Sequence, residues 1–400
     1  MPRTHIRYVD VSAVSRERLA ITAAEHVPAN QASSRARKIV KTGDTLFATI
    51  RPGLARIAQV PSDLDGEIAS TAFCVLRPNR ALVHPDFLFF AVANRPFVER
   101  VADLETGASY PAVRDSDVLD QMIPLPPLTV QGDIAATMNC VRKALLLEDG
   151  LAAESEILKR AAMRELFTRG LRSEPQKDTE VGLAPASWEV RRLEDDHDIA
   201  GGGTPLRSVD DYWTGGTIPW VKTAEVNYSV IHSTEEHITQ AGLDNSSAKL
   251  LPPGTLLIAM FGQGVTRGRV AILGIEATCN QACAAVRPRN DRVDTRFLYH
   301  LLTSKYEELR QLAHGGQQQN LNIDIVRNFQ VAVPPTRDEQ QEIVAILDGI
   351  DGKIDIHRRK KAVLEELFKS LLHKLMTGEI RVADLDLSAL DVRSEAEVHS

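Results

Sequence analysis

Two stretches of this 400-residue chain follow one plan. Lys38–Gly53, KIVKTGDTLFATIRPG, recurs as Lys249–Gly264, KLLPPGTLLIAMFGQG. STAFCVLRP, ending at Pro78, recurs as NQACAAVRP, ending at Pro288, and Phe87-Leu88 falls on Phe297-Leu298. IPLPPLTVQGDI matches VAVPPTRDEQQEI, with Pro126-Pro127 on Pro334-Pro335. A period of about two hundred residues is far too long for a solenoid, so the chain reads as a duplicated domain.

Each copy changes character at its Pro-Pro pair. Before it lie short β-rich segments broken by Gly and Pro (Thr45 to Ile50, Ser70 to Leu76, Thr255 to Phe261, Val270 to Leu273, Ala282 to Val286), with small helices predicted at Pro85 to Arg100 and Asp294 to Leu312. After it comes a long helical stretch. In the second copy Ile343, Leu347, Ile350, Ile354, His357, Lys361, Leu364, Phe368, Leu371 and Leu375 step by 4 and 3, the seam of a coiled coil with two polar residues in its middle. In the first copy Ile134, Met138, Val141 and Leu145 keep that spacing, and the phase wavers at Gly150 before Leu158, Ala162 and Leu166. Helices of roughly 35 residues would run about 50 Å. An apolar stripe that long needs a partner, and the other copy's helix is the obvious one. The alternative is two amphipathic helices, each packed on its own domain.

The expected architecture is therefore α+β: two tandem domains separated by two long helices that pair as an antiparallel coiled coil with internal pseudo-two-fold symmetry. The expected boundaries are a first domain at 1–127, a first helix at 128–172, a linker at 173–187, a second domain at 188–335, a second helix at 336–378 and an acidic tail at 379–400 that frays from Arg381. Ile6 to Val14 lines up with Ile218 to Val226, so the first copy carries no counterpart of Trp188 to Thr217. Either its true start lies upstream, or this domain is pared down.

Catalytic signatures are missing. The stretch AGGGTPLRSVDDYW opens with three glycines, but no lysine follows as in a phosphate-binding loop, and Pro205 removes a backbone donor that such a loop would use. No nucleophile elbow, no zinc-protease motif and no glycine-rich S-adenosylmethionine loop occurs. His5, His197, His232, His314 and His357 have no partners at useful spacing and read as surface or capping residues. Cys74, Cys140, Cys279 and Cys283 include one C-x3-C pair without a second, which reads as reduced thiols rather than zinc ligands. The N-terminus has no apolar signal core and no run of about 18 apolar residues occurs. A cytoplasmic chain without membrane contact is the default. The net charge of −7 argues mildly against nucleic acid, though an acidic chain can carry basic patches.

What remains is a binder. The first copy's hairpin loop carries Arg51, Gly53 and Arg56, and GASYPAV is followed by Arg114. The second carries Gln263, Gly264, Arg267 and Arg269, and the GGQQQNLN run supplies Gln317, Gln318 and Asn320. Arginine grips phosphate or guanine with two prongs, and side-chain amides suit adenine edges. Lys222 and Thr223 are further candidates for backbone phosphate, while Tyr212, Trp213 and Trp220 read as packing.

GGGTPLRSVDDYWTGGTIPWVKTAEV, VPPTRDEQQEIVAILDGIDGKID and LEELFKSLLHKLMTGEI together resemble the specificity subunits of type I restriction-modification systems, from about Tyr8 to Ile380. The resemblance implies two target-recognition domains, each reading one half of a split double-stranded DNA sequence, and a helical ruler between them. It implies docking of two methyltransferase (modification) subunits, with or without two restriction subunits. Those partners would use S-adenosylmethionine, ATP and Mg, and this chain would bind no cofactor. Two other readings stay open: a coiled-coil protein scaffold with degenerate domains, and the recognition subunit of a methyltransferase from another defence system.

Overall fold

The computed structural model describes residues 4–386, apart from 108, 263–264 and 313–319. The chain divides into two units: residues 1–152 with 356–400, and residues 153–355. Two long helices, Leu128–Arg169 and Arg337–Thr377, each give one half to each unit.

The second unit is the more complete. Its main sheet runs in the order His197–Gly201, Cys283–Pro288, Leu256–Ala259, Val270–Leu273, Val230–Ile231. A three-stranded sheet sets Ile218–Val221 between Glu236–Ile238 and Thr278–Cys279. Leu256–Ala259 and Val270–Leu273 are fully buried runs of four, which is how strands covered on both faces read. One face packs on Phe297, Leu298, Leu301 and Leu302 of the helix Thr295–Ser304. The same core takes Met163 and Phe167 from the first long helix and Ile343 and Leu347 from the second. Trp188 is fully buried there, edge-on to Phe297 at 5.8 Å, with its Nε1 donating to Glu339 Oε1.

The first unit repeats the frame. Ile57–Gln59, Thr45–Ala48 and Phe73–Leu76 form a three-stranded sheet, and Tyr8 and Val9 pair in parallel with Ile68 and Ala69 just as Trp220 and Val221 pair with Thr278 and Cys279. Its core joins Phe87, Phe90 and Phe97 to Ile134, Met138 and Val141 of the first helix and Leu371, Leu372 and Leu375 of the second. Within each unit the paired halves therefore run antiparallel.

The two units differ where Trp188–Thr217 stands in the second. In the second unit that stretch supplies two strands: Glu189–Arg192, antiparallel to Gln330–Val333, and His197–Gly201, which covers the edge strand Cys283–Pro288. Among the described residues of the first unit Phe73–Leu76 stands at the sheet edge, and residues 121–127, the counterpart of Gln330–Val333, form no strand. Met122 there is 83% exposed.

Two expectations need correction. The stretch 173–187 is not a plain linker: Gln176–Thr179 and Gly182–Pro185 form a hairpin, turned through Gly182 at φ 91°. Ala184 enters the core and Lys177 Nζ donates to Trp188 O, so the hairpin belongs to the second unit. The tail is also partly engaged, because Ile380, Val382 and Leu385 pack on the first unit's core. Residues 387–400 lie outside the described residues.

Candidate nucleic-acid interface

The glycine-rich opening of the second unit is a packing device. A Cβ on Gly202 would lie 2.2 Å from Asn280 O, and one on Gly203 would lie 2.2 Å from Ala248 N. Only glycine lets the backbone pass that closely. The amides that a phosphate would need are used inside: Gly202 N donates to Cys283 O and Gly203 N to Cys279 O. Trp220 Nε1 donates to Gly203 O at 2.9 Å. Trp213 stands edge-on to Trp220 at 5.0 Å, and the Arg207 guanidinium lies 3.6 Å from the Trp213 ring centre. This aromatic knot with Ile238 and Ala248 is a satellite core.

The candidate readers fare unevenly. Arg51 is exposed on a left-handed turn (φ 48°), its backbone N donating to Pro111 O and its guanidinium 5.8 Å from the Tyr110 ring. Arg114 is exposed at the start of the short helix Asp115–Leu119. Arg51 and Arg114 are brought together, because Val113 N donates to Thr49 O and Ile50 bridges to Ala112. Asn320 is exposed, and Leu321 N ties that loop to Met260 O beside the hairpin turn. Gln263, Gln317 and Gln318 lie outside the described residues.

Five other candidates are engaged within the fold. Arg56 donates to Val14 O at 2.8 Å and to Val11 O, holding the first unit's N-terminal segment. Arg267 is 7% exposed, so it is a buried residue rather than a presented one. Arg269 bonds Asn227 Oδ1 at 2.6 Å and lies over Tyr228. Lys222 is clamped between Glu235 and Glu236, and the hydrogen bond it donates to Glu235 holds its ammonium above the usual lysine range. Thr223 Oγ1 donates to Asn280. A cation already neutralised by two carboxylates is a poor phosphate ligand.

The helix seam is buried at Ile343, Leu347, Ile350, Ile354, Leu371 and Leu375 and half-buried at Leu364 and Phe368. In the first unit the seam's polar positions meet carboxylates: His357 Nδ1 lies 2.6 Å from Glu148, and Lys361 Nζ lies 2.5 Å from Asp149. Arg18 also bonds Asp149, 2.6 Å away. In the second unit Lys159 pairs with Asp351.

Two features were not anticipated. His300 is fully buried, its Nε2 2.7 Å from Asp348 Oδ1, where Arg296 Nε also donates. His300, Asp348 and Asp351 could in principle hold a metal ion. Arg296 and Lys159 already neutralise the two carboxylates, so the group is an ion-pair cluster. The second is a cleft lined by five arginines together with Glu194, Asp195 and Asp198.

Residues 185–366 match the family model described as the type I restriction modification DNA specificity domain. A chain from a solved structure, described for complex assembly and conformational transition of the type I R-M system, is 30% identical and aligns over 95% of this chain and 93% of its own length, with a TM-score of 0.59. This chain belongs to the specificity subunits of type I restriction-modification systems. The HindI specificity subunit of Haemophilus influenzae is 25% identical over 86% of this chain and 88% of its own length. The MjaIX specificity subunit of Methanocaldococcus jannaschii is 30% identical over 203 residues, where the chain spans about half that relative's length (46%). In this specificity subunit, the glycine turn and aromatic knot lie inside the matched stretch, and residues 1–152 of the first unit lie outside it.

Proposed function

We propose that the chain reads a two-part DNA target, one part per unit, and performs no chemistry itself. The observation that carries this reading is the duplication of one α+β frame, with each copy seated on one half of the same two helices. Exposed Arg51 and Arg114 in the first unit and Asn320 in the second are the readers we favour, with Gln263, Gln317 and Gln318 added from the sequence pattern alone. Arg269 can join them if it exchanges Asn227 for a phosphate or base edge. No described helix is long and apolar enough to cross a membrane. Cytoplasmic work on duplex DNA fits that.

The paired helices would carry the partners. Leu147, Ile157 and Leu158 on the first helix and Ile346, Ile356 and Val363 on the second are apolar and exposed. Such side chains on a helix face suit helices of a second protein. Two methyltransferase subunits supplying S-adenosylmethionine, with restriction subunits supplying ATP and Mg chemistry, are the partners of this proposal. The scaffold reading draws on the internal use of Arg56, Lys222 and Arg267.

Genome-wide adenine methylation in a host expressing the chain with its methyltransferase tests the proposal. A split motif with a fixed gap, lost on deletion of this gene, is the expected result. Methylation indifferent to the deletion would overturn it.

A further inference from the structure

The second unit has a polar cleft of about 860 Å³ whose walls carry Arg191, Arg192, Arg287, Arg289 and Arg327. Four of these have carboxylate partners. Arg191 bonds Asp196 twice, Arg192 meets Glu194 and Asp195, Arg289 meets Asp198, and Arg327 meets Asp324. The Arg287 guanidinium has no hydrogen bond or ion pair among the described residues, although the residue is half-buried on the strand Cys283–Pro288.

The duplication shows what Arg287 lacks. Its counterpart in the first unit is Arg77, whose Nε and Nη2 donate to Asp44 at 2.9 and 2.6 Å. Asp44 is almost completely buried, and Arg77 is held above the usual arginine range by it. The position matching Asp44 is Thr255, whose hydroxyl donates to Pro252 O. The arginine recurs in both copies, and its carboxylate does not. A guanidinium fixed on a strand beside four more arginines is left to an anion from outside.

Position selects the anion. The hairpin loop beyond Ala259 leaves the sheet opposite Cys283, and Leu321 beside Asn320 is tied to the same end. Arg287 lies four residues further along the strand, opposite Asp198. At about 3.3 Å per residue this is roughly 13 Å, close to the ~12 Å width of a DNA major groove. We infer that the Arg287 cleft binds the phosphodiester backbone of the duplex, flanking the groove that the reader loops enter. This inference rests on the DNA-reading proposal above.

The test uses the full chain assembled with its methyltransferase subunits, on duplexes with and without the methylated motif. Arg287→Gln should weaken binding to both duplexes by the same factor and reduce the slope of log K against log salt by about 1. The methylated motif should stay unchanged, and Arg287→Lys should restore most of the slope. Equal melting temperatures establish that the variants fold. An unchanged slope in an Arg287→Gln assembly that still discriminates its motif would overturn the inference and leave the DNA reading standing. If the wild-type assembly shows no sequence-dependent binding, both fail. Loss of methyltransferase subunits with unaltered DNA affinity would assign the cleft to an acidic protein surface and also overturn it.

Discussion

His300 on the recognition frame donates its Nε2 proton to Asp348 of the second long helix, 2.7 Å away, while its Nδ1 is buried with no partner among the described residues. A second proton would have to sit on that unpartnered nitrogen. Burial accordingly pushes the imidazole below its usual range, more than Asp348 raises it.

The pH dependence follows from that sign. A histidine whose folded pKa is depressed takes up its proton more readily when unfolded, so its contribution is complete above the unfolded value of about 6.5 and is lost as pH falls below it. Asp348 is also held below the usual carboxylate range: burial opposes its charge, but His300 and Arg296 outweigh burial. Its contribution disappears at still lower pH. The melting temperature should fall from pH 7 to pH 5 in the wild type, and should be flatter over that interval in His300→Asn. Parallel curves for the two proteins would refute this role.

Gly202→Ala and Gly203→Ala should each lower stability by about 2 kcal/mol or more, because the new methyl meets main-chain atoms that cannot swing aside. Gly254→Ala meets nothing within 4 Å but sits at φ 84°, so its cost should come from strain alone and be about 1 kcal/mol. Urea denaturation of the three variants ranks them, and equal costs would contradict the close-approach argument.

Trp188→Phe should lose the hydrogen bond to Glu339 and part of the contact with Phe297, whereas Trp188→Ala opens a cavity costing about 3–5 kcal/mol. The second unit's hydrogen-exchange protection should drop in the alanine variant, with that of Phe87–Phe97 in the first unit preserved. Equal loss in both units would show that the two do not hold separate cores.

Arg51→Ala should relax one half of the methylated motif and leave the other half and the gap intact, while Lys222→Ala should change neither half, since its charge is spent on Glu235 and Glu236. Sequencing of methylated sites distinguishes the two. A motif altered by Lys222→Ala would return that lysine to the interface.

The duplication and the helix pair were legible because period and repeat survive in a single sequence: Ile343 through Leu375 mark a buried seam in plain order. The hairpin 176–185 was not, since all four of its first-strand residues are polar and only Ala184 and Pro185 of the second strand are buried. Arg267 carried the right chemistry for a reader, but nothing local reveals that its side chain is buried. His300 needs Asp348, 48 residues away, and the cleft gathers arginines from 191, 192, 287, 289 and 327. Such clusters form only when strands pair, and no spacing announces them.

The split of both long helices between the units also sets an order in time. Residues 153–355 are continuous, so the second unit can close as soon as they leave the ribosome. The first unit, though made first, needs Leu371, Leu372 and Leu375 for its core. At about 5–20 residues per second, the 224 residues from Ala152 to Met376 keep it waiting for roughly 10–45 seconds. During that interval Met138 and Val141 have no helix to meet, and the N-terminal half is the part of the newborn chain most in need of a chaperone.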